Sequence, residues 1–480
     1  MKTTRTALAL WKIPKLVGGI VILLLSACAK NTPTTSQAPA QASPQVKEEI
    51  GFRVPVDYYK LDNGLKVVLS RDTTSPTVVV AVYYNIGFRI EPKDRTGFAH
   101  LFEHMMFQGS NNLGKMEFIR LVQRNGGTLN GSTRFDFTNY FEILPAHKLE
   151  TALWAEADRM KGLAITQENL TNQQGVVKSE VRVNVLNQPY GGFPWLDMPQ
   201  YANENWYNAH NFYGDLKDLD AATLEDVKKF FDTYYAPNNA AIAIVGDFKP
   251  EEAKAMVQKY FSGIKPATLP AQPDISEPKQ VKEKRFVKKD SLANKPALAF
   301  AYHMPPRNTP EYYAMGLIDQ ILLQGDDSKL YQTLVQKKGY TGSVSGGINY
   351  LGNMFNYNGP MLWMGNLIHD STVPADSIVT VLDKAVADLK NQGVDQATID
   401  RALVKIRSSL YDNLVGFYGF GRADLLASFA LFDDNPARIN DLEAEFKKVT
   451  PALIKKTAEE YLQPTNRTIL TVDPLAPQTK

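Results

Sequence analysis

The chain has 480 residues, of which 44% are hydrophobic, and a formal net charge of +2 at pH 7. A chain of this length and composition is expected to form two or three domains with cores of ordinary size. Its 53 basic and 51 acidic side chains nearly balance, whereas nucleic-acid-binding domains carry a basic surplus. We therefore expect no nucleic-acid partner.

Residues 1–28 have the composition of an export signal. Basic residues precede the apolar run 16–25, and this run is short for a membrane span. The Leu-Ser-Ala-Cys sequence that follows resembles the bacterial lipoprotein box. That resemblance implies lipidation of Cys28, which is the only cysteine. The lipid would anchor the protein in a bacterial membrane. The expected location is the outer membrane, with the protein facing the periplasm. An uncleaved anchor or an ordinary secretory signal is the alternative.

Residues 29–50 are rich in Ala, Pro, Thr, Ser and Gln and have no apolar period. This composition predicts a disordered tether. The folded body is expected from residue 51 onward. Within 58–69, an Asn-Gly pair between apolar runs predicts a β-hairpin, and the β-branched and aromatic segment 78–84 predicts a central strand.

The segment 97–107 brings two histidines and a glutamate to one helical turn. At about 100° per residue, His100, Glu103 and His104 share a face of a helix whose other positions are apolar. Imidazole and carboxylate are ligands that zinc accepts, and H-x-x-E-H is the inverted zincin motif. A catalytic zinc site needs a third protein ligand, and Glu180, on a predicted helix over 170–186, is a candidate. The alternative is a chance pattern on an ordinary helix.

Three motifs, taken in chain order, resemble those of the insulinase, pitrilysin and mitochondrial processing peptidase family. The first is H-x-x-E-H at 100–104, and the second is 126–140, which is similar to the family's G-G-x-x-N-A-x-T-x-x-D-x-T-x-Y segment. The third is V-V-x-x-E, which ends at Glu180, at the family's distance from H-x-x-E-H. The resemblance implies that His100, His104 and Glu180 bind one zinc ion per chain. It also implies that Glu103 is the general base of peptide-bond hydrolysis.

The same resemblance places an extended substrate peptide on the strand predicted over 130–141, near a sheet edge. Asn130 and Gly131 are then expected to bind the substrate backbone. The alternative for Asn130 is a turn residue that follows the Gly-Gly pair. Gln173 stands where many family members have a glutamate that supports the third ligand, so it is expected to orient a neighbour without adding charge.

The second half departs from the family at two positions. Single-chain members carry an Arg and a Tyr in a pattern like L-R-x-K-x-x-x-x-Y, and the corresponding positions here are Val335 and Gly342. Tyr340 lies close enough to replace the missing tyrosine. The family's active form is a chamber of four domains, and this chain supplies half of it. We therefore expect a related subunit that lacks the metal motif and supplies the Arg/Tyr pair; a homodimer is the alternative.

The chain also contains an internal repeat. Residues 224–245 align without a gap on 451–472, so that a helix, a Pro-Asn break and a strand recur. A Pro-rich linker over 265–284 separates the two copies. We predict an α+β fold with two homologous domains, 51–264 and 285–480, each an antiparallel sheet with helices packed on one face.

The second domain is expected to be metal-free. Gly316, Asp319 and Gln320 stand where the first domain has His100, Glu103 and His104. The four other histidines match no metal motif and are expected to be ordinary surface or core residues; they are His147, His210, His303 and His369.

These observations predict a zinc-dependent endopeptidase that cleaves unfolded peptides or small proteins, as the catalytic subunit of a two-chain enzyme. One alternative is a non-catalytic lipoprotein of the same fold that binds peptides or acts as a scaffold, although a scaffold needs none of the four site residues. A structural zinc site is a second alternative, but such sites normally close all four positions with Cys or His.

Overall fold

The computed structural model describes residues 53–475. The predicted export signal and lipidation site at Cys28 lie outside the described residues. Within them the chain forms eleven strands, which are β1 (Asp57–Lys60), β2 (Lys66–Arg71), β3 (Thr77–Tyr84), β4 (Thr128–Thr133), β5 (Thr138–Pro145), β6 (Ala240–Gly246), β7 (Lys284–Asp290), β8 (Ala297–His303), β9 (Ser345–Ile348), β10 (Leu362–Ile368) and β11 (Arg467–Pro474).

Fifteen α-helices connect these strands in the same described range. They are α1 (Phe98–Met105), α2 (Glu117–Arg124), α3 (Leu149–Lys161), α4 (Gln167–Val181), α5 (Asp197–Ala202), α6 (Trp206–Ala209), α7 (Leu216–Ala221), α8 (Leu224–Tyr234), α9 (Pro250–Phe261), α10 (Pro310–Leu322), α11 (Ala375–Asn391), α12 (Gln396–Val415), α13 (Phe420–Asp433), α14 (Leu442–Lys447) and α15 (Pro451–Tyr461). Among the described residues, no single helix is long and apolar enough to cross a membrane. The bent pair of α12 and α13 together has the length and composition of a membrane-spanning segment, and only these two properties suggest that role.

The strands form two sheets, one in each half of the chain. The first has the order β1-β2-β6-β3-β5-β4, and the second has the order β7-β11-β8-β10-β9. Most neighbours are antiparallel, but β2 pairs with β6 and β7 pairs with β11 in parallel. The predicted α+β class is therefore confirmed, with one parallel pair in each sheet that the prediction did not include.

The central strand β3 explains how the first sheet is covered. Apart from Ala81, its residues Thr77–Tyr84 are β-branched or aromatic, and seven of the eight are buried, as expected of a strand with both faces covered. Val78, Val80 and Val82 face the helices of the first half, while Val79, Ala81 and Tyr83 join a second core cluster. This alternation follows from the two-residue period of a strand.

Each sheet receives one helix from the other half of the chain on its second face. The α13 helix packs against β2, β3 and β6 of the first sheet. Residues of α5 and its preceding loop, including Phe193 and Met198, cover Ala299 and Met364 on the second sheet. The prediction of helices on one face only was incomplete, because both faces of these sheets are apolar and both need cover.

The predicted internal repeat is visible in the structure. The α8 helix, a 3₁₀ turn and β6 recur as α15, a 3₁₀ turn and β11. At equivalent positions, the side-chain amide of Asn239 donates to the Tyr234 carbonyl at 2.9 Å and that of Asn466 donates to the Tyr461 carbonyl at 2.7 Å. The described residues belong to one compact unit, and the domain boundaries at 264 and 285 stay predictions.

Two predicted elements differ in detail from the structure. The single strand predicted over 130–141 is a hairpin of β4 and β5, with a turn at 134–137. The helix predicted over 170–186 is α4, which continues as one π-helical turn at Arg182–Leu186. The hairpin strand β4 packs against α1, which carries His100 and His104, and the π-helical turn directly follows the helix that carries Glu180.

Candidate metal centre

A buried carboxylate from the preceding segment contacts the N-terminus of α1. Glu91, which is fully buried, accepts the backbone N–H groups of Gly97 at 2.9 Å and Ala99 at 2.6 Å. The first N–H groups of a helix have no partner within the helix, and the helix dipole favours a negative group there. Burial raises the pKa of Glu91, and His210 Nε2 lies 3.7 Å from its Oε2. The hydrogen bonds to Glu91 hold the first residues of α1 in place, directly before the predicted ligand His100.

The structure brings the three predicted ligands together. His100 and His104 lie one turn apart on α1, and Glu180 lies near the end of α4. Glu180 Oε1 is 3.6 Å from His100 Nε2, and Oε2 is 3.2 Å from His104 Nε2. One ligand atom from each residue lies within 4.8 Å of the others. This spacing suits three ligands that converge on one ion.

The charge state of Glu180 also suits a metal ligand. The imidazoles of His100 and His104 beside it hold the pKa of the Glu180 carboxyl well below its usual range. The carboxylate is therefore ionised at neutral pH. Tyr213 donates its hydroxyl to Glu180 Oε1 at 3.1 Å, and burial raises the pKa of Tyr213 to about 12, so this hydroxyl stays protonated and remains a donor.

Glu103 lies on the same turn of α1 but outside the cluster of three ligand atoms. The hydroxyl of Thr133 donates to Glu103 Oε2 at 2.8 Å. On the same strand, a Cβ at Gly131 would lie 3.3 Å from Glu103 Cγ and 3.1 Å from the Tyr140 ring. The β4 strand therefore passes directly beside the predicted general base, where a larger residue at 131 would crowd it.

Asn130 is an exposed residue of β4, which is the edge strand of the first sheet. It is a strand residue, so the alternative that placed it in a turn was wrong. Its Oδ1 accepts the N–H of Gly131 at 3.0 Å. An edge strand has backbone groups without a partner strand on one side, and an extended peptide can pair with them.

Gln173 is buried on α4, two turns before Glu180. Its side-chain amide donates to Asn172 Oδ1 at 2.9 Å. The expected contact between Gln173 and a metal ligand stays a prediction.

Within the described residues, the second half forms no cluster of metal-binding side chains like the one in the first half. A Cβ at Gly316 would meet Met354 and Phe446 at 2.9 Å. Asp319 accepts the Trp363 indole N–H at 2.7 Å, and burial raises its pKa to about 6. The same carboxylate also accepts the Gln324 side-chain amide at 3.2 Å, and the three positions that correspond to the metal motif line one cavity in the second half of the chain.

The loop expected to carry an Arg and a Tyr contains neither at the family positions. Val335 lies in the π-helical turn Tyr331–Lys337, and a Cβ at Gly342 would have no atom within 4 Å. The half-buried ring of Tyr340 lies 5.3 Å from Lys338 Nζ. Replacement of the missing tyrosine by Tyr340 stays a prediction.

The remaining histidines are surface or core residues. His147 is exposed, His303 is half-buried, and His369 is buried. His210 is buried against Glu91 and stacks on Trp206. None of the four belongs to the candidate metal cluster.

Sequence reasoning missed three residues that contact the site residues. They are Glu91 at the start of α1, Thr133 beside Glu103, and Tyr213 beside Glu180. Thr133 follows Gly131 by two positions, so the strand period predicts that both lie on one face. For Tyr213, which lies in an irregular segment, no periodic pattern gives such a signal.

Comparison with known proteins identifies the family. Residues 66–204 match the family model for insulinase, peptidase family M16, and residues 221–405 match the model for the peptidase M16 inactive domain. Together the two ranges cover more than half of the chain. The chain belongs to the insulinase family M16. This confirms the resemblance stated from the motifs.

Similar proteins extend over most of the chain. Zinc protease PqqE of Helicobacter pylori is 27% identical over 424 residues, which cover 86% of this chain and 92% of that protein. The crystal structure of a protease from Helicobacter pylori has a TM-score of 0.80 and 25% identity, and covers 88% of this chain and 100% of that chain.

A Pseudomonas fluorescens structure described as a peptidase M16 inactive domain shares the fold. Its TM-score is 0.77 at 20% identity, over 89% of this M16 chain and 99% of that chain. The family therefore includes proteins named zinc proteases and domains named inactive. For this M16 chain, the case for activity rests on the residues at its own site.

Proposed function

We propose that this chain is a zinc-dependent endopeptidase that binds one zinc ion through His100, His104 and Glu180. The observation that carries the proposal is the convergence of these three ligand atoms, with Glu103 on the same helical turn. Two imidazoles and an ionised carboxylate fit zinc and leave a fourth position open, as in catalytic sites. When bound, zinc activates a water molecule and polarises the carbonyl of the scissile peptide.

Glu103 is the general base in this proposal. It accepts a proton from the attacking water and delivers it to the leaving amine. Thr133 donates to Oε2 of Glu103, so Oε1 is the oxygen that takes the proton. The hydroxyl of Thr133 can donate to Glu103 both when its carboxyl group is ionised and when it is protonated, so it keeps this group oriented throughout the proton transfer.

The substrate binds in an extended form along β4. Edge-strand pairing uses backbone groups, which every peptide has, so it selects for unfolded segments more than for one side chain. Asn130 is exposed on this edge beside Gly131, where its amide can bind a substrate backbone group. The proposed substrates are therefore unfolded peptides or small proteins.

We further propose that activity requires a related subunit, because Val335 and Gly342 replace the family's Arg and Tyr. The purified chain alone is expected to cleave a quenched fluorescent peptide library slowly. Addition of a co-purified related chain should raise kcat/KM by at least about 10-fold, the effect expected when one transition-state contact worth about 1.4 kcal/mol is gained.

A control in this experiment uses the partner with its own Arg and Tyr replaced. That partner should bind but not activate. Rapid cleavage by the chain alone, unchanged by any partner, would contradict the two-chain proposal and leave the zinc site intact as a proposal. Zinc binding without cleavage in any pairing would favour the peptide-binding or scaffold role.

The proposed location is a bacterial membrane, with the chain anchored through a lipid on Cys28 and facing the periplasm. The basis is the sequence alone. The Cys28→Ser variant is expected to move the protein from the membrane fraction to the soluble fraction after cell disruption. Retention of this variant in the membrane fraction would instead indicate an uncleaved anchor.

A further inference from the structure

The Tyr213 side chain contacts ligand residues on both metal-bearing helices. Its hydroxyl donates to Glu180 Oε1 on α4 at 3.1 Å. Its ring meets the His100 ring on α1 edge-on, with centroids 5.0 Å apart. A single residue therefore bridges the two elements that must stay in register if three ligands are to converge.

The position of Tyr213 is itself well fixed. The Trp195 ring meets it edge-on at 5.3 Å, and its backbone N–H donates to Asn211 Oδ1 at 3.0 Å. Its carbonyl oxygen would lie 2.9 Å from a Cβ at Gly97, a residue with φ of +83°. The segment that carries Tyr213 thus crosses the start of α1 in backbone contact, and only glycine at 97 permits this approach.

The α4 helix continues as the π-helical turn Arg182–Leu186, which begins two residues after Glu180. Single π-helical turns often occur at functional sites. Glu180 therefore lies at the end of the regular helix, where the Tyr213 hydroxyl donates to its carboxylate.

We propose that Tyr213 is a positioning residue that fixes the Glu180 carboxylate as the third metal ligand. This inference rests on the proposed zinc site. The two Glu180 oxygens face different histidines, with Oε1 toward His100 and Oε2 toward His104. A hydrogen bond to Oε1 restricts rotation of the carboxylate. Partners of this kind commonly contribute about 10- to 100-fold to metal affinity.

The test is the Tyr213→Phe variant, which keeps the ring beside His100 and Trp195 and removes only the hydroxyl. The dissociation constant for zinc, measured by competition with a chelator, is expected to rise about 10- to 100-fold. The melting temperature of the metal-free protein should stay at the wild-type value. At saturating zinc, most of kcat should return, since the hydroxyl takes no part in proton transfer.

A matched control is Tyr58→Phe. Tyr58 also donates its hydroxyl to a carboxylate, that of Asp434, but it lies on β1 outside the metal cluster. Its loss should leave the zinc dissociation constant unchanged. The visible spectrum of the cobalt-substituted protein gives a second readout, which should change in Tyr213→Phe and stay unchanged in Tyr58→Phe.

Two results would overturn the inference. One is a zinc dissociation constant of Tyr213→Phe within twofold of wild type, and the other is an equal loss of affinity in Tyr58→Phe. Both require a wild-type protein that binds zinc. If the wild type itself binds no zinc, the proposed function fails instead, so the two failures are distinguishable.

Discussion

Glu103→Gln is expected to lower peptide hydrolysis by about 10²- to 10⁴-fold, the usual contribution of a general base. Glutamine has nearly the same shape but cannot take the proton from the attacking water. Zinc should still bind near one ion per chain, because the three ligand atoms belong to other residues. The measurement is kcat/KM on a quenched fluorescent peptide, with the metal content determined on the same sample.

The control for this variant is Glu168→Gln. Glu168 is an exposed residue in the first turn of α4, so the same chemical change occurs on a neighbouring helix away from the cluster. Its activity should equal that of the wild type. If Glu103→Gln kept wild-type activity with zinc bound, Glu103 would not be the base, and the assignment of the α1 motif would be wrong.

His104→Ala is expected to abolish zinc binding at ordinary zinc concentrations. It removes the imidazole nitrogen that lies 3.2 Å from Glu180 Oε2. Loss of an indirect partner of a metal ligand already costs about 10- to 100-fold in affinity, so loss of a ligand should cost more than about 100-fold. Hydrolysis should fall to the level of the metal-free protein.

The same variant gives a readout that does not depend on activity. A ligand present at 1,000 times its dissociation constant stabilises a folded protein by about 4 kcal/mol. Zinc should therefore raise the melting temperature of the wild type and leave that of His104→Ala unchanged. The control is His147→Ala, since His147 is exposed. Equal stabilisation of all three proteins by zinc would place the metal elsewhere.

The sequence predicted α1, β3 and the internal repeat because each has a local period or a turn signal. The apolar neighbours of His100, Glu103 and His104 follow a helical period, and 78–84 is rich in β-branched and aromatic residues. The hairpin of β4 and β5 was harder to predict. Phe135 and Phe137 lie in the turn at 134–137 and are buried. They continue the alternation of apolar and polar residues from β4 into β5, so the sequence pattern does not show where one strand ends and the next begins.

The contacts that complete the site could not be predicted, because they join segments distant in the chain. Tyr213 reaches Glu180 from an irregular loop, and Glu91 caps a helix that begins several residues later. The packing of α5 on the second sheet and of α13 on the first sheet also joins segments distant in the chain. Periodicity identifies an apolar helix face, but it does not specify which sheet the helix covers.

The most direct test of the zinc-peptidase account is a zinc titration of the metal-free chain in the presence of its co-purified partner, with peptide hydrolysis followed at each step. Hydrolysis is expected to rise to a plateau at one zinc per chain, and Glu103→Gln is expected to bind the same amount of zinc without hydrolysis. Full zinc binding with no cleavage, or cleavage that persists in excess chelator, would contradict it.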